Sequence, residues 1–188
     1  MADQLRSLND IRQQLAHYEQ LLRPREDERL LVCDTNALVH GKRFDTLRWN
    51  ELFAERKVRI VLPLVVIDEL DTIKDRGGSI KNNANRAAGA VLRELDAKLL
   101  PGQALQRMEL RDNVTLQLVD EPFGHTRLEG HDDEIIRQAS YFSSMSEGRT
   151  TIVARDRGMR VRAEAAGIDV IPLPLDYERA DPEEPFDG

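Results

Sequence analysis

Leu30–His40 reads LLVCDTNALVH. Four apolar residues, Leu30, Leu31, Val32 and Cys33, run straight into Asp34, Thr35 and Asn36. A short apolar run that ends abruptly is the pattern of a parallel strand buried on both faces. One that stops at a carboxylate opens that carboxylate onto the sheet edge where α/β folds bind ligands. Three later stretches bring acids to comparable positions: Glu69, Asp132 or its neighbour Asp133, and Asp156.

The rest of the chain repeats the strand-then-helix rhythm. Upstream, Leu8, Leu15 and Leu22 recur every seven residues, with Ile11 and Tyr18 three after the first two. That predicts a helix over residues 3–22 with an a/d seam of little more than two heptads, short of a sustained coiled coil. Docking on its own domain and pairing with a second copy both stay open. Pro24 and the charged residues 25–29 end this helix as a linker. Downstream, His40–Arg43 reads as a loop, and Phe44, Leu47, Leu52 and Phe53 predict a helix to about residue 55. Val58–Leu62 is a second buried strand, and Pro63 suits the first turn of the next helix, which carries Glu69. Gly77 and Gly78 break the chain there. A long helix from about Ile80 to Leu99 stops at Pro101-Gly102.

Val114–Val119 alternates as a half-buried strand near a sheet edge. A loop with Pro122, Gly124 and Gly130 leads to the helix HDDEIIRQASYF, then a strand at Thr150–Ala154. A helix over 157–166 is closed by Gly167, and Ile168–Ile171 is the last strand. The expected architecture is α/β: a three-layer α/β/α domain with a central, mostly parallel sheet. It spans residues 29–175, with the N-terminal helix and linker at 1–28. Residues 176–188, rich in acids and proline, read as a disordered tail.

Composition narrows the function. The chain has 188 residues and is 40% hydrophobic, enough for one core. No apolar stretch approaches the ~20 residues of a membrane span, and no signal segment opens the chain, so a cytoplasmic protein is expected. Cys33 is the only cysteine, which leaves no intrachain disulfide and no cysteine-rich zinc site. A net charge of −7 argues against a broad basic footprint on duplex DNA. Local basic residues (Lys74, Arg76, Lys81 and Arg86; Arg155, Arg157, Arg160 and Arg162) suit a nucleic-acid contact as well as a solvated face. His17, His40 and His125 are scattered surface residues, and Trp49 is a core anchor rather than a base-stacking platform.

Acids gathered at one sheet edge repel each other unless a cation lies between them. An all-oxygen set without a His or Cys cluster suits Mg²⁺ or Mn²⁺. Such a cation activates water and stabilises charge on a phosphate under attack. Thr35 and Asn36 would orient ligands or water.

VCDTNAL, PLVVIDEL, HDDEIIRQA and ARDRGMRVRAEAAGI together resemble the PIN-domain nucleases. The likeness extends to the subgroup that includes PIN domains of nonsense-mediated decay endonucleases and of proteins fused to phosphate-starvation-type ATPases. It covers roughly residues 29–172. The resemblance implies an α/β/α fold that cuts single-stranded RNA with Mg²⁺ or Mn²⁺. It also implies Asp34, Glu69, Asp132 and Asp156 as catalytic and metal-holding acids, with Asp133 the register alternative to Asp132. Thr35, Asn36 and Arg160 fall to the substrate. His131 stands where the subgroup often has asparagine.

Two rival acid sites fit less well. A haloacid-dehalogenase phosphatase needs a second Asp where Asn36 stands. A phospho-receiver needs an acidic pair at the first strand and a late lysine. A PIN scaffold that binds RNA or a partner without cutting, and a toxin held by an antitoxin, are the remaining alternatives. Homodimerisation through the N-terminal helix is the expected assembly if the leucine seam is intermolecular.

Overall fold

The computed structural model describes residues 2–76, 83–99, 106–121 and 124–179. Its strands are β1 Glu28–Cys33, β2 Lys57–Pro63, β3 Met108–Arg111, β4 Val114–Val119, β5 Thr150–Ala154 and β6 Asp169–Pro172. Its helices are α1 Ala2–Leu22, α2 Thr35–His40, α3 Leu64–Asp75, α4 Asn83–Lys98, α5 His131–Met145 and α6 Arg157–Ala165. One six-stranded sheet runs β3-β4-β2-β1-β5-β6. Every neighbouring pair is parallel except β3 with β4. The helices flank the sheet, α3 packing on α4 and α5 on α6, with α3 also touching α5; right-handed crossovers are the rule for such parallel connections. This is the three-layer α/β/α arrangement. No described helix is long and apolar enough to cross a membrane.

β1 is central because its residues are apolar on both faces. Leu30, Leu31, Val32 and Cys33 are fully buried, and Val32 pairs with Val61 on one side and Ile152 on the other. The chain builds β2 and β4 on one flank of β1, then returns to add β5 and β6 on the opposite flank. Strand order therefore reverses at β1, and the crevice beyond its carboxyl end is the topological switch point. Val61 and Val153 are buried like Val32, whereas Val170 is only half-buried because β6 is an edge strand.

Three local expectations are corrected. Residues 44–55 form no α-helix; only a 3-10 turn, Trp49–Leu52, is present. Phe44, Leu47 and Trp49 are buried as predicted, but along an irregular path. The Trp49 indole N–H donates to Phe44 O at 2.8 Å, and Arg111 donates to Thr46 O at 2.7 Å. The helix comes earlier, as α2, so His40 is helical rather than in a loop. Finally, β4 is buried along its whole length because β3, unforeseen, shields its outer edge. Asn113, at φ 64°, makes the two-residue hairpin between them, a position asparagine tolerates. Gly77, Gly78, Ile80, Lys81, Pro101, Gly102 and Pro122 lie outside the described residues.

Among the described side chains, α1 is buried at its C-terminal end and exposed over its first turns. Leu22 is wholly buried, while Leu8, Ile11 and Leu15 are 63%, 48% and 44% exposed; the side chain of Tyr18 lies outside the described set. The anchor is Arg59, a charged residue buried in the middle of β2. It donates to Glu28 Oε2 at 2.6 Å, Gln117 Oε1 at 2.9 Å, Leu21 O at 2.7 Å and Arg23 O at 3.0 Å. The last two are carbonyls at the C-terminal end of α1, left without helical partners. Burial pulls the Arg59 guanidinium down to about 10, against the pull of Glu28. Burial also opposes ionisation of Glu28, but the Arg25 N–H and Arg59 outweigh it and hold that carboxyl below its usual range.

The segment after β6 is not a free tail at its start. Lys42 N donates to Tyr177 O and Arg179 N to His40 O, each at 2.8 Å, and Glu178 bridges Gly41 in antiparallel fashion. Tyr177 meets Trp49 edge-on at 5.2 Å. Residues 174–179 thus strap across the end of α2. The acids from Asp181 onward lie outside the described residues.

Candidate active site

Asp34 leaves β1 and caps α2, its carboxylate accepting from Ala37 N. The Arg155 backbone N–H at the end of β5 faces it as well. Asp34 is 2% exposed. Burial pushes its carboxyl up to about 7, and the charges of Asp132 and Glu69 push the same way, against the two N–H groups.

Glu69 arrives from α3, which starts at Pro63 directly after β2. Its Oε2 accepts from the buried Thr35 hydroxyl at 2.5 Å, and its Oε1 lies 3.4 Å from His131 Nδ1. Asp132 comes from the first turn of α5. Burial raises its carboxyl, Arg162 opposes this, and Glu69 and Asp156 add to the rise. Asp156 lies two residues beyond β5 and caps α6, accepting from Met159 N at 3.0 Å. Four elements thus deliver Asp34, Glu69, Asp132 and Asp156 to the switch point, and the four interact electrostatically.

Asp132 is the member of its pair that faces the other acids. Asp133 is more exposed; a Cβ on Gly130 would lie 3.2 Å from its Oδ2. Both are held by Arg162, whose Nη2 lies 2.5 Å from Asp132 Oδ2 and whose Nε lies 3.1 Å from Asp133 Oδ1. Arg162 also flanks Asp156 across Gly158. One guanidinium therefore offsets part of the negative charge, at Asp132 and Asp133.

The donor set is chemically suited to a hard divalent cation: carboxylates with a hydroxyl beside them and burial that makes Asp34 reluctant to ionise alone. The carboxylates stand as neighbours rather than as a closed cage. Among the described residues, no three Asp, Glu, His or Cys side chains converge tightly enough to ligate one ion.

Of the residues assigned to substrate, Asn36 is exposed and lines a cleft of about 390 Å³ with Arg155, Asp156, Arg157 and Glu178. Thr35 is committed to Glu69. Arg160 braces the β5–α6 turn, its Nη1 donating to Ala154 O at 3.2 Å and Arg155 O at 2.7 Å.

Sequence reasoning missed Glu134. This carboxylate is fully buried behind the first turn of α5. It accepts from His125 Nε2 and Arg137 Nη2 at 2.6 Å, Gln138 Nε2 at 2.8 Å and Leu128 N at 2.9 Å. Burial resists its ionisation, but the Leu128 N–H, Gln138 and His125 bring it down to about 2. Glu134 fastens residues 125–128 to α5 within one turn of Asp132. Nothing distinguishes it in sequence from the other acids of HDDE, since only the fold turns it inward.

The sequence profile of the PIN domain matches residues 31–173, most of the chain. This chain belongs to the PIN domain family. PIN domains are nuclease-type folds, generally metal-dependent, and the matched span contains all four acids. Among solved structures, a domain of a functionally unknown protein from Methanocaldococcus jannaschii DSM 2661 is similar at 15% identity. The match covers 82% of this chain and 97% of that one, with a TM-score of 0.49. No curated protein sequence matches the chain.

Proposed function

We propose that this PIN domain is a metal-dependent ribonuclease that hydrolyses phosphodiester bonds within single-stranded RNA. The observation that supports this best is the mutual electrostatic interaction of Asp34, Glu69, Asp132 and Asp156, brought from four elements to one crevice. A bound Mg²⁺ or Mn²⁺ would lower the pKa of water and stabilise negative charge on the phosphate. Asp34, Asp132 and Asp156, with Glu69, are the residues that would hold it. Thr35 fixes the rotamer of Glu69, and Asn36 is free to orient water or a phosphate oxygen. The motifs resemble the subgroup of nonsense-mediated decay endonucleases and phosphate-starvation-type fusions, with His131 the departure from it.

A uniform single-stranded RNA incubated with Mn²⁺ tests the reading. Wild type should release internal fragments, and Asp34→Asn should lose about 100-fold or more in rate, the scale of a lost charge-stabilising group. The Arg162 bridge across Asp132 and Asp133 favours a second reading, a scaffold that binds RNA without cutting. RNA binding by wild type with no cleavage in Mn²⁺ or Mg²⁺ would select it.

A further inference from the structure

The cleft of about 390 Å³ beside the acids presents two arginines, Arg155 and Arg157, in a chain of net charge −7. The other arginines nearby are engaged: Arg162 with Asp132 and Asp133, Arg160 with backbone carbonyls. Arg157 is exposed and pairs with no carboxylate among the described residues. Among the described residues Arg155 pairs with one carboxylate, Glu178 Oε1 at 3.6 Å, with the two side chains 45% and 32% exposed. Such an exposed pair is weak and readily exchanged for another anion.

Glu178 does not owe its position to that pair. Its own N–H donates to Leu175 O at 3.1 Å, its backbone bridges Gly41, and the bonds of Tyr177 and Arg179 to the end of α2 clamp it on both sides. The strap therefore holds a carboxylate in front of a guanidinium at the mouth of the site. A carboxylate there, at ion-pair distance, faces the donors that a phosphodiester would use. Arg155 and Arg157 flank Asp156 in sequence. An RNA strand with one phosphate at the acids would bring a neighbouring phosphate to them, and without such cations the acid cluster would repel the backbone.

We propose that Arg155 and Arg157 bind an RNA backbone phosphate adjacent to the scissile one, and that Glu178 on the C-terminal strap competes with it for Arg155. The strap then sets substrate affinity. This rests on the ribonuclease reading and adds to it a phosphate subsite with a built-in competitor.

Anisotropy of a labelled oligouridine with Mn²⁺ present, on an Asp34→Asn background to prevent cleavage, tests it. Arg155→Ala should weaken binding about tenfold, the size of one charged hydrogen bond, and reduce the slope of log K against log salt by about 0.7. Arg157→Ala should act in the same direction. Glu178→Gln should tighten binding roughly threefold, and that gain should vanish when Arg155→Ala is also present. Melting curves verify that the exposed substitutions leave the fold intact, and Arg155→Lys should recover part of the loss. An unchanged affinity in Glu178→Gln, or an equal gain with and without Arg155, overturns the competition. If wild type cuts RNA while the Arg155 and Glu178 variants bind as their parent does, the subsite falls and the ribonuclease reading stands. Wild type that neither binds nor cuts RNA overturns both.

Discussion

Asp34 is buried, caps a helix and faces two other acids, so its charge is costly until a cation shares it. Its folded-state pKa of about 7 exceeds the ordinary value of 3.8. The protonated carboxyl is therefore the form the fold prefers, and stability falls as pH rises from about 4 through about 7. The displacement corresponds to roughly 4 kcal/mol above pH 7. Asp34→Asn keeps an oxygen for Ala37 N and removes the charge. In chelator-treated protein it should melt several degrees above wild type at pH 8, with the gap closing toward pH 4. An equal gap at both pH values would show that Asp34 is not the strained group. Glu134 has the opposite sign. Its pKa is held at about 2, so its contribution is present above its ordinary value of 4.5 and is lost as pH falls toward 2. Glu134→Ala strands its buried donors and should cost about 3 kcal/mol at pH 7 by urea titration. It should also weaken Mn²⁺ binding by letting Asp132 drift.

Among the elements, α1 shows how a helix can be legible while its attachment is not. The apolar spacing announces the helix, but Arg59, which joins it to the sheet, sits in a strand where a charge would be read as a fault. Removing one partner of a buried ion pair leaves the other uncompensated. Glu28→Ala should cost about 3–5 kcal/mol, measurable by denaturant titration. A loss under about 1 kcal/mol would mean that water reaches Arg59. Deleting residues 1–24 would take away the Leu21 and Arg23 carbonyls that Arg59 binds, so it should destabilise the domain. Deleting residues 1–15 spares that anchor and removes the exposed Leu8, Ile11 and Leu15. Light scattering of this shorter truncation decides the homodimer: a halved mass places the seam between copies, and an unchanged mass removes it.

For the molecule as a whole, the acids of four elements should make folding and metal binding one linked equilibrium. A ligand that binds only the native state adds about 2.7 kcal/mol at a hundred times its Kd. Saturating Mn²⁺ should thus raise Tm by several degrees. The rise should be larger at pH 8 than at pH 5, because Asp34 must ionise to ligate, and it should shrink in Asp34→Asn. A Tm indifferent to Mn²⁺ at pH 8 would remove the metal from the proposed mechanism. The alternation of two-sided apolar strands with amphipathic helices determined the α/β class from sequence alone, and with it the place of Asp34 at the end of β1 and of Asp156 just beyond β5, whereas the approach of Glu69 and the choice of Asp132 over Asp133 were made by the tertiary structure. The class and those two places follow from local periodicity and from which residue ends each run. What only the tertiary structure decided depends on partners distant in the chain. Glu134 is turned inward by residues 125–128, Arg59 is tolerated because α1 ends over it, and β4 is buried because β3 covers it. Residues 44–55 follow an irregular path because side chains satisfy their backbone groups. Glu178 meets Arg155 because the strap folds back over α2. Local pattern records a residue's own preference for burial or exposure, whereas a charge becomes buried, paired or poised only through the neighbours that the completed fold brings to it.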